Sequence, residues 1–114
     1  MKFERELLKG VAPMVTLEIL ARGAMYGYQL SEAIAQRSGD ILTLGRGTLY
    51  PLLYNLEAKG LVKAQWQEGD SGRNRRYYSI TGLGKEFLAG QREQWQKLAD
   101  GVGLIFGAPQ PSVA

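Results

Sequence analysis

One cluster of polar and basic side chains has the residue types that contact nucleic acid. It lies at the start of a leucine-rich segment and comprises Arg46, Thr48, Tyr50 and Tyr54. Arginine donates paired hydrogen bonds to guanine or to a phosphate, and hydroxyl groups bond phosphates and base edges. We therefore expect these four side chains to contact double-stranded DNA.

A second cluster places three like charges within four positions, Arg73, Arg75 and Arg76. Such charges repel one another unless an anion lies close, which favours a phosphate contact here too. The chain carries a formal net charge of +3, and residues 45–79 hold six basic against three acidic side chains. The other residues hold eight of each, so the whole basic excess lies in the stretch that contains both clusters. This distribution predicts an anionic partner.

The composition of the 114-residue chain argues against an enzyme. Cysteine and histidine are absent, which excludes disulfides, thiolate and imidazole metal sites and histidine-based catalysis. The carboxylates show no paired arrangement for acid–base work, so we expect no catalytic residue, metal or cofactor. No apolar run approaches the length of a membrane span, and the charged start MKFERELLKG resembles no signal peptide. We expect a cytoplasmic protein that has no membrane partner.

The elements that position the first cluster begin with two predicted helices. A short amphipathic arm precedes the first of them, and we place Pro13 in its first turn, where the missing N–H costs nothing. This helix is predicted to end at Gly23, a C-terminal capping residue. The second helix is predicted to follow Tyr26 and Gly27 and to end near Gly39.

The third predicted helix carries the first cluster. Its apolar residues recur at one helical face, Leu49, Leu52, Leu53 and Leu56. At its end we expect Gly60 in the left-handed conformation and Leu61 folded back on Leu56, as in a Schellman cap. Its start is open: Thr48 is one candidate N-cap, whereas a start nearer Leu44 would let Pro51 kink the helix.

The period of the sequence then changes from helix to strand. Val62, Ala64 and Trp66 alternate with polar residues, which predicts a strand with these three side chains buried. A loop over residues 69–74 joins it to a second strand over residues 76–80. The two strands form a hairpin that carries the second basic cluster.

A last, long helix is predicted to begin at a Thr81 cap. Its apolar residues recur every seven positions, which is typical of a helix that pairs with another helix. We expect an interface with a second copy, formed by Leu8, Leu88, Trp95, Leu98 and Val102. The remaining tail, residues 107–114, is expected to be flexible.

The order of three helices, a hairpin and a helix predicts a mainly α fold, a winged helix-turn-helix with a long C-terminal dimerisation helix. Residues 1–80 would form the DNA-binding domain and residues 81–106 the dimerisation helix. In such folds the third helix enters the major groove, and the hairpin, called the wing, reaches phosphates or an adjacent minor groove.

These segments resemble PadR-type transcriptional regulators. The resemblance rests on GAMYGYQL (23–30), GRGTLYPLLYNLEAKGLV (45–62), RNRRYYSIT (73–81) and the later Trp95. It implies a homodimeric repressor that binds a pseudo-palindromic operator. It also implies, by analogy with short members of the family, that Trp95 stacks on a small planar aromatic ligand that releases the repressor.

Several alternatives stay open at this point. Heptad spacing alone makes Trp95 a packing anchor of the dimer rather than a ligand platform. The chain could also be a winged-helix protein-interaction module, or an architectural DNA binder with low sequence specificity.

Overall fold

The structure is a computed structural model that describes residues 1–69 and 71–107. It is mainly helical, with a small antiparallel sheet in the strand order β1-β3-β2. The elements in chain order are α1 (Arg5–Leu20), β1 (Met25–Tyr26), α2 (Gly27–Arg37), α3 (Arg46–Ala58), β2 (Val62–Glu68), β3 (Asn74–Ile80) and α4 (Gly82–Phe106). This arrangement confirms the predicted winged-helix class. Of the tail expected over residues 107–114, all but Gly107 lies outside the described residues.

Helix α1 is longer than the sequence predicts. It begins at Arg5, so the arm and the first helix are continuous, and Pro13 lies in the interior rather than in the first turn. The helix ends at Leu20, three residues before Gly23. An interior proline removes one backbone hydrogen bond and usually costs ~3 kcal/mol. Here Leu8 and Ala12 pack against the core before the proline and Leu17 packs after it, so tertiary burial holds the helix together across Pro13.

Helix α2 begins after Tyr26, as predicted, and ends at Arg37, two residues before Gly39. The two-residue strand β1 that precedes it was not predicted, because two residues carry no detectable period. It pairs with β3 through Met25 opposite Tyr78 and Tyr26 opposite Tyr77. The start of α2 is thereby attached directly to the wing.

Helix α3 buries Leu49, Leu53 and Leu56 as predicted. Its N-cap is Gly45 rather than Thr48, and Pro51 therefore lies inside the helix. The predicted Schellman cap is confirmed: Gly60 has φ +75°, and the Leu61 N–H donates to the Leu56 carbonyl at 2.9 Å. This cap turns the chain from α3 into the wing within two residues.

The wing is the antiparallel hairpin of β2 and β3, in which Val62 faces Ile80 and Trp66 faces Arg76. Burial decreases along β2, from 2% exposure at Val62 to 67% at Trp66. The prediction of a buried Trp66 is therefore wrong, although the alternation that led to it holds near the core. The hairpin extends past the edge of the helical core, which leaves Trp66 exposed.

The C-terminal helix is joined tightly to the end of α3. The Thr81 hydroxyl accepts a hydrogen bond from the Gly84 N–H at 3.0 Å, which confirms the predicted N-cap. The same hydroxyl donates to the Gly60 carbonyl at 2.7 Å, and the Thr81 N–H donates to the Leu61 carbonyl at 3.1 Å. Leu88 then enters the core of its own chain, where only 6% of its surface is exposed.

No helix in residues 1–69 and 71–107 combines the length and apolarity needed to cross a bilayer.

The junction of α4 with the domain predicts opposite effects for two glycines of the same helix. A Cβ at Gly84 would collide with the Leu61 carbonyl and lie 2.7 Å from Ile80 Cγ1, whereas a Cβ at Gly90 would meet nothing within 4 Å. We expect Gly84→Ala to lower the free energy of unfolding by about 1–3 kcal/mol through overpacking. Gly90→Ala should raise it by about 0.5–1 kcal/mol. Urea unfolding measures both; equal effects would contradict the tight junction.

Candidate nucleic-acid interface

The packing of α3 decides which of its side chains face outward. Because Leu49, Leu53 and Leu56 are buried, the side of the helix opposite these leucines is left exposed. The four predicted contact residues on and near this helix are all exposed, Arg46, Thr48, Tyr50 and Tyr54. An exposed helix that begins with an arginine and carries hydroxyl groups suits insertion into a major groove.

Tyr50 also has a structural contact that the sequence did not predict. Its ring lies over Gly27, the buried first residue of α2, so closely that a Cβ at Gly27 would be 2.8 Å from Tyr50 Cζ. Tyr50 therefore braces α3 against the start of α2 while part of its ring remains exposed. Only glycine at position 27 leaves room for this contact.

The arginines of the wing occupy three different environments. Arg73 is exposed at the turn of the hairpin, whereas Arg75 and Arg76 are half-buried. The Arg75 guanidinium carbon lies 4.3 Å from the ring centroid of Tyr26, a cation–π contact. Tyr26 in turn packs edge-on against Tyr77, at a centroid distance of 5.4 Å. Arg75 thus ties the wing to the start of α2.

Arg76 ties the wing to α3. Its Nη2 donates to Glu57 Oε2 at 2.7 Å, a short charge-assisted hydrogen bond between β3 and α3. The Arg76 guanidinium also lies 5.8 Å from the centroid of Tyr78. Burial raises the pKa of the Tyr78 hydroxyl above its ordinary value, although Arg76 acts in the opposite direction. The phenol therefore stays neutral beneath the ion pair at physiological pH.

The partners of these arginines were not predicted from the sequence. The three charges were expected to form one repelling cluster, whereas the structure separates them, with Tyr26 beside Arg75 and Glu57 beside Arg76. The available signal was Glu57 itself, one of three acidic residues in the basic stretch 45–79. Its position on the third helix gave no indication of which wing arginine it would meet.

The predicted interface or effector residues do not form one site within the chain. Leu8 is half-buried against the core of its own chain and Leu88 lies inside that core, so Leu88 does not face a partner. The other three residues remain exposed on the distal part of α4: Trp95 at 46%, Leu98 at 63% and Val102 at 41%. Heptad spacing placed Leu88 in the same row, but the row passes from the core to the surface along the helix.

Comparison with known proteins agrees with this architecture. The sequence profile of the transcriptional regulator PadR-like family matches residues 16–90. The transcriptional regulator Rv3488 of Mycobacterium tuberculosis is 30% identical over 95 residues, which cover 83% of this chain and 85% of that protein. The transcriptional regulator YqjI of Escherichia coli is 29% identical over 91 residues, 80% of this chain but only 42% of YqjI. The crystal structure of a PadR family transcriptional regulator from Eggerthella lenta superposes with a TM-score of 0.75 at 35% identity, covering 89% of this chain and 82% of that one.

The bond between Glu57 and Arg76 predicts the direction in which DNA affinity changes when Glu57 is replaced. Removing a negative charge near DNA would by itself strengthen binding. If Glu57 holds the wing against α3, Glu57→Gln should instead weaken binding to a preferred duplex, by roughly fivefold for a partly exposed charged hydrogen bond. Fluorescence anisotropy with labelled duplex measures the change.

The matched control is Glu68→Gln, which removes the same charge from an exposed position on the wing. We expect this variant to bind as tightly as the parent or more tightly. If Glu57→Gln and Glu68→Gln both strengthen binding equally, Glu57 does not orient the wing.

Proposed function

We propose that this chain, which belongs to the PadR-like family of transcriptional regulators, represses transcription as a homodimer bound to a pseudo-palindromic operator. Residues 1–80 would carry the DNA-binding unit and the helix within residues 81–106 the dimer contacts. The observation that carries the proposal is the exposed apolar row on the distal part of α4. A second copy of the chain is the occupant that the row fits best.

The row begins where α4 leaves its own domain. Leu88 is the last residue of α4 in the buried core, and Arg92 then meets Glu18 of α1 at an Nη1–Oε1 distance of 3.5 Å. Beyond this pair the apolar side chains keep heptad spacing but are exposed, Trp95, Leu98, Val102 and Ile105. Exposed apolar surface of this regularity is unfavourable in water, and a second helix with the same repeat would cover it.

A symmetric pair of chains gives the DNA contacts their geometry. Two α3 helices related by a two-fold axis enter successive major grooves, so the half-sites lie about 10 base pairs apart. In this arrangement Arg46, Thr48 and Tyr54 are placed to contact bases and adjacent phosphates. Arg73 contacts the backbone, and Arg75 and Arg76 reach DNA from a wing that their own contacts hold in place.

Selection from a random duplex library tests this function as a whole. The enriched sites should contain an inverted repeat, and a reporter placed behind such a site should be repressed when the protein is present. An architectural binder would show a low ratio of operator to random affinity instead. A protein-interaction module would enrich no sequence.

The dimer contact has its own prediction, since Leu98 and Leu83 are similarly exposed on the same helix, at 63% and 55%. Only Leu98 lies in the apolar row. Leu98→Glu should convert the chain to monomers at micromolar concentration and abolish operator binding, because it places two like charges in a packed seam. Leu83→Glu should remain dimeric. Analytical ultracentrifugation distinguishes them, and two dimeric variants would refute the α4 interface.

A second candidate function, release by a small planar aromatic effector, rests on the half-exposed indole of Trp95. Two such rings near a dimer axis would form a stacking platform, since aromatic faces attract flat and cationic rings. This function requires that the dimer leave a space beside Trp95 rather than pack it completely.

Tryptophan fluorescence tests the effector, provided that the exposed Trp66 is first replaced. In a Trp66→Phe background, planar aromatic cations should quench Trp95 and weaken operator binding in parallel. Trp95→Ala should then abolish the effect of these cations on operator binding and leave the dimer nearly intact. If Trp95 is a packing anchor instead, Trp95→Ala should dissociate the dimer, at a cost typical of ~3–5 kcal/mol for a buried tryptophan.

A further inference from the structure

An open groove of about 830 Å³ separates the first half of α1 from the outer side of α3. Three basic residues of the N-terminal segment line one wall, Lys2, Arg5 and Lys9. Residues from the first half and middle of the recognition helix line the other wall, among them Thr48, Pro51 and Asn55. In the part of the chain that the structure describes, no acidic side chain lines this groove.

The basic row is not evident from the net charge of the N-terminal segment. The first nine residues hold Glu4 and Glu6 as well as the three basic residues, so the segment is close to neutral. Arg5 and Lys9 are four residues apart on α1, which places their side chains on one helical face. Lys2 precedes α1 and lines the same groove. Glu4 and Glu6 do not line the groove.

The fold itself gains little from these charges. Arg5 lies at the first position of α1, where a cation opposes the helix dipole and is unfavourable. Among residues 1–69 and 71–107, the ion pairs involve other basic residues and none of the three. A basic row that neither caps the helix nor pairs internally is suited to an external anion.

The row lies on the opposite side of α3 from the wing. Tyr50 and Glu57 are the residues of α3 that contact Gly27 and Arg76, whereas Thr48 and Asn55 face the groove. Positions 50 and 57 differ from positions 48 and 55 by about half a turn of helix. Basic side chains therefore flank the recognition helix on both sides.

A helix inserted in a major groove lies between two phosphate backbones. We propose that Lys2, Arg5 and Lys9 contact the DNA phosphate backbone on the side of α3 away from the wing, so that each protomer contacts both DNA strands. This inference rests on the proposed function, in which α3 enters duplex DNA. It extends the interface to residues outside the basic stretch 45–79.

The experiment measures the salt dependence of binding to a mixed-sequence 40-base-pair duplex. In the triple variant Lys2→Gln, Arg5→Gln, Lys9→Gln, the plot of log K against log salt should become shallower, by about 0.9 in slope for each lost contact. At 0.1 M salt this corresponds to roughly a fivefold to tenfold loss of affinity per contact. Lys97→Gln on the exposed surface of α4 is the matched control and should change neither quantity.

Two further variants separate DNA contact from damage to the fold. Lys2→Gln changes a residue that precedes α1, so it cannot destabilise that helix. Arg5→Gln removes a cation from the first turn and should leave the melting temperature unchanged or slightly higher while weakening DNA binding.

The outcomes are distinguishable. If the parent protein shows salt-dependent binding and the triple variant matches Lys97→Gln, the inference is wrong although the proposed function stands. If the triple variant dissociates into monomers, the groove holds the second copy rather than DNA, which also overturns the inference. If the parent protein does not bind duplex DNA, the proposed function itself fails.

Discussion

The burial of Leu49, Leu53 and Leu56 against the helical core sets the orientation of everything that surrounds α3. With those three side chains inside, the rotation of the helix about its axis is fixed, because another rotation would expose leucine and bury polar groups. Thr48 and Asn55 then face α1, Tyr50 and Glu57 face α2 and the wing, and Tyr54 faces outward. The buried apolar stripe thus determines which neighbour each remaining side of the helix contacts.

The wing is the element whose placement depends most on polar contacts. A two-stranded hairpin is marginally stable alone, and burial decreases along β2 toward the turn. Three connections compensate: the pairing of β1 with β3, the contact of Arg75 with Tyr26, and the bond of Arg76 to Glu57. They lead to α2 and α3, so the wing follows the helix-turn-helix as one body. Arginine suits this role because its planar group can stack and donate to a carboxylate while other N–H groups remain for a phosphate.

The sequence was most informative where a local interaction decides the structure. The Schellman cap at Gly60, the Thr81 cap and the leucine stripe of α3 were predicted because each depends on residues within one or two turns. The errors concern long-range packing. Pro13 is tolerated inside α1 because the core holds both halves of the helix, Trp66 is exposed because the hairpin extends past the core, and Leu88 is buried because α4 packs on its own domain before it leaves it. The contacts of Arg75 and Arg76 join residues distant in sequence, and no spacing rule gives them.

Thr81 joins the end of α3 to the start of α4. Its hydroxyl and N–H bond the carbonyls of Gly60 and Leu61, at the residues where α3 has just ended, while the same hydroxyl caps α4. The recognition helix and the C-terminal helix therefore share one rigid joint rather than a flexible linker. In the proposed dimer, a change in the crossing angle of the two C-terminal helices would be transmitted through this joint as a tilt of both α3 helices. The distance between the two α3 helices would then depend on how the C-terminal helices pack against each other.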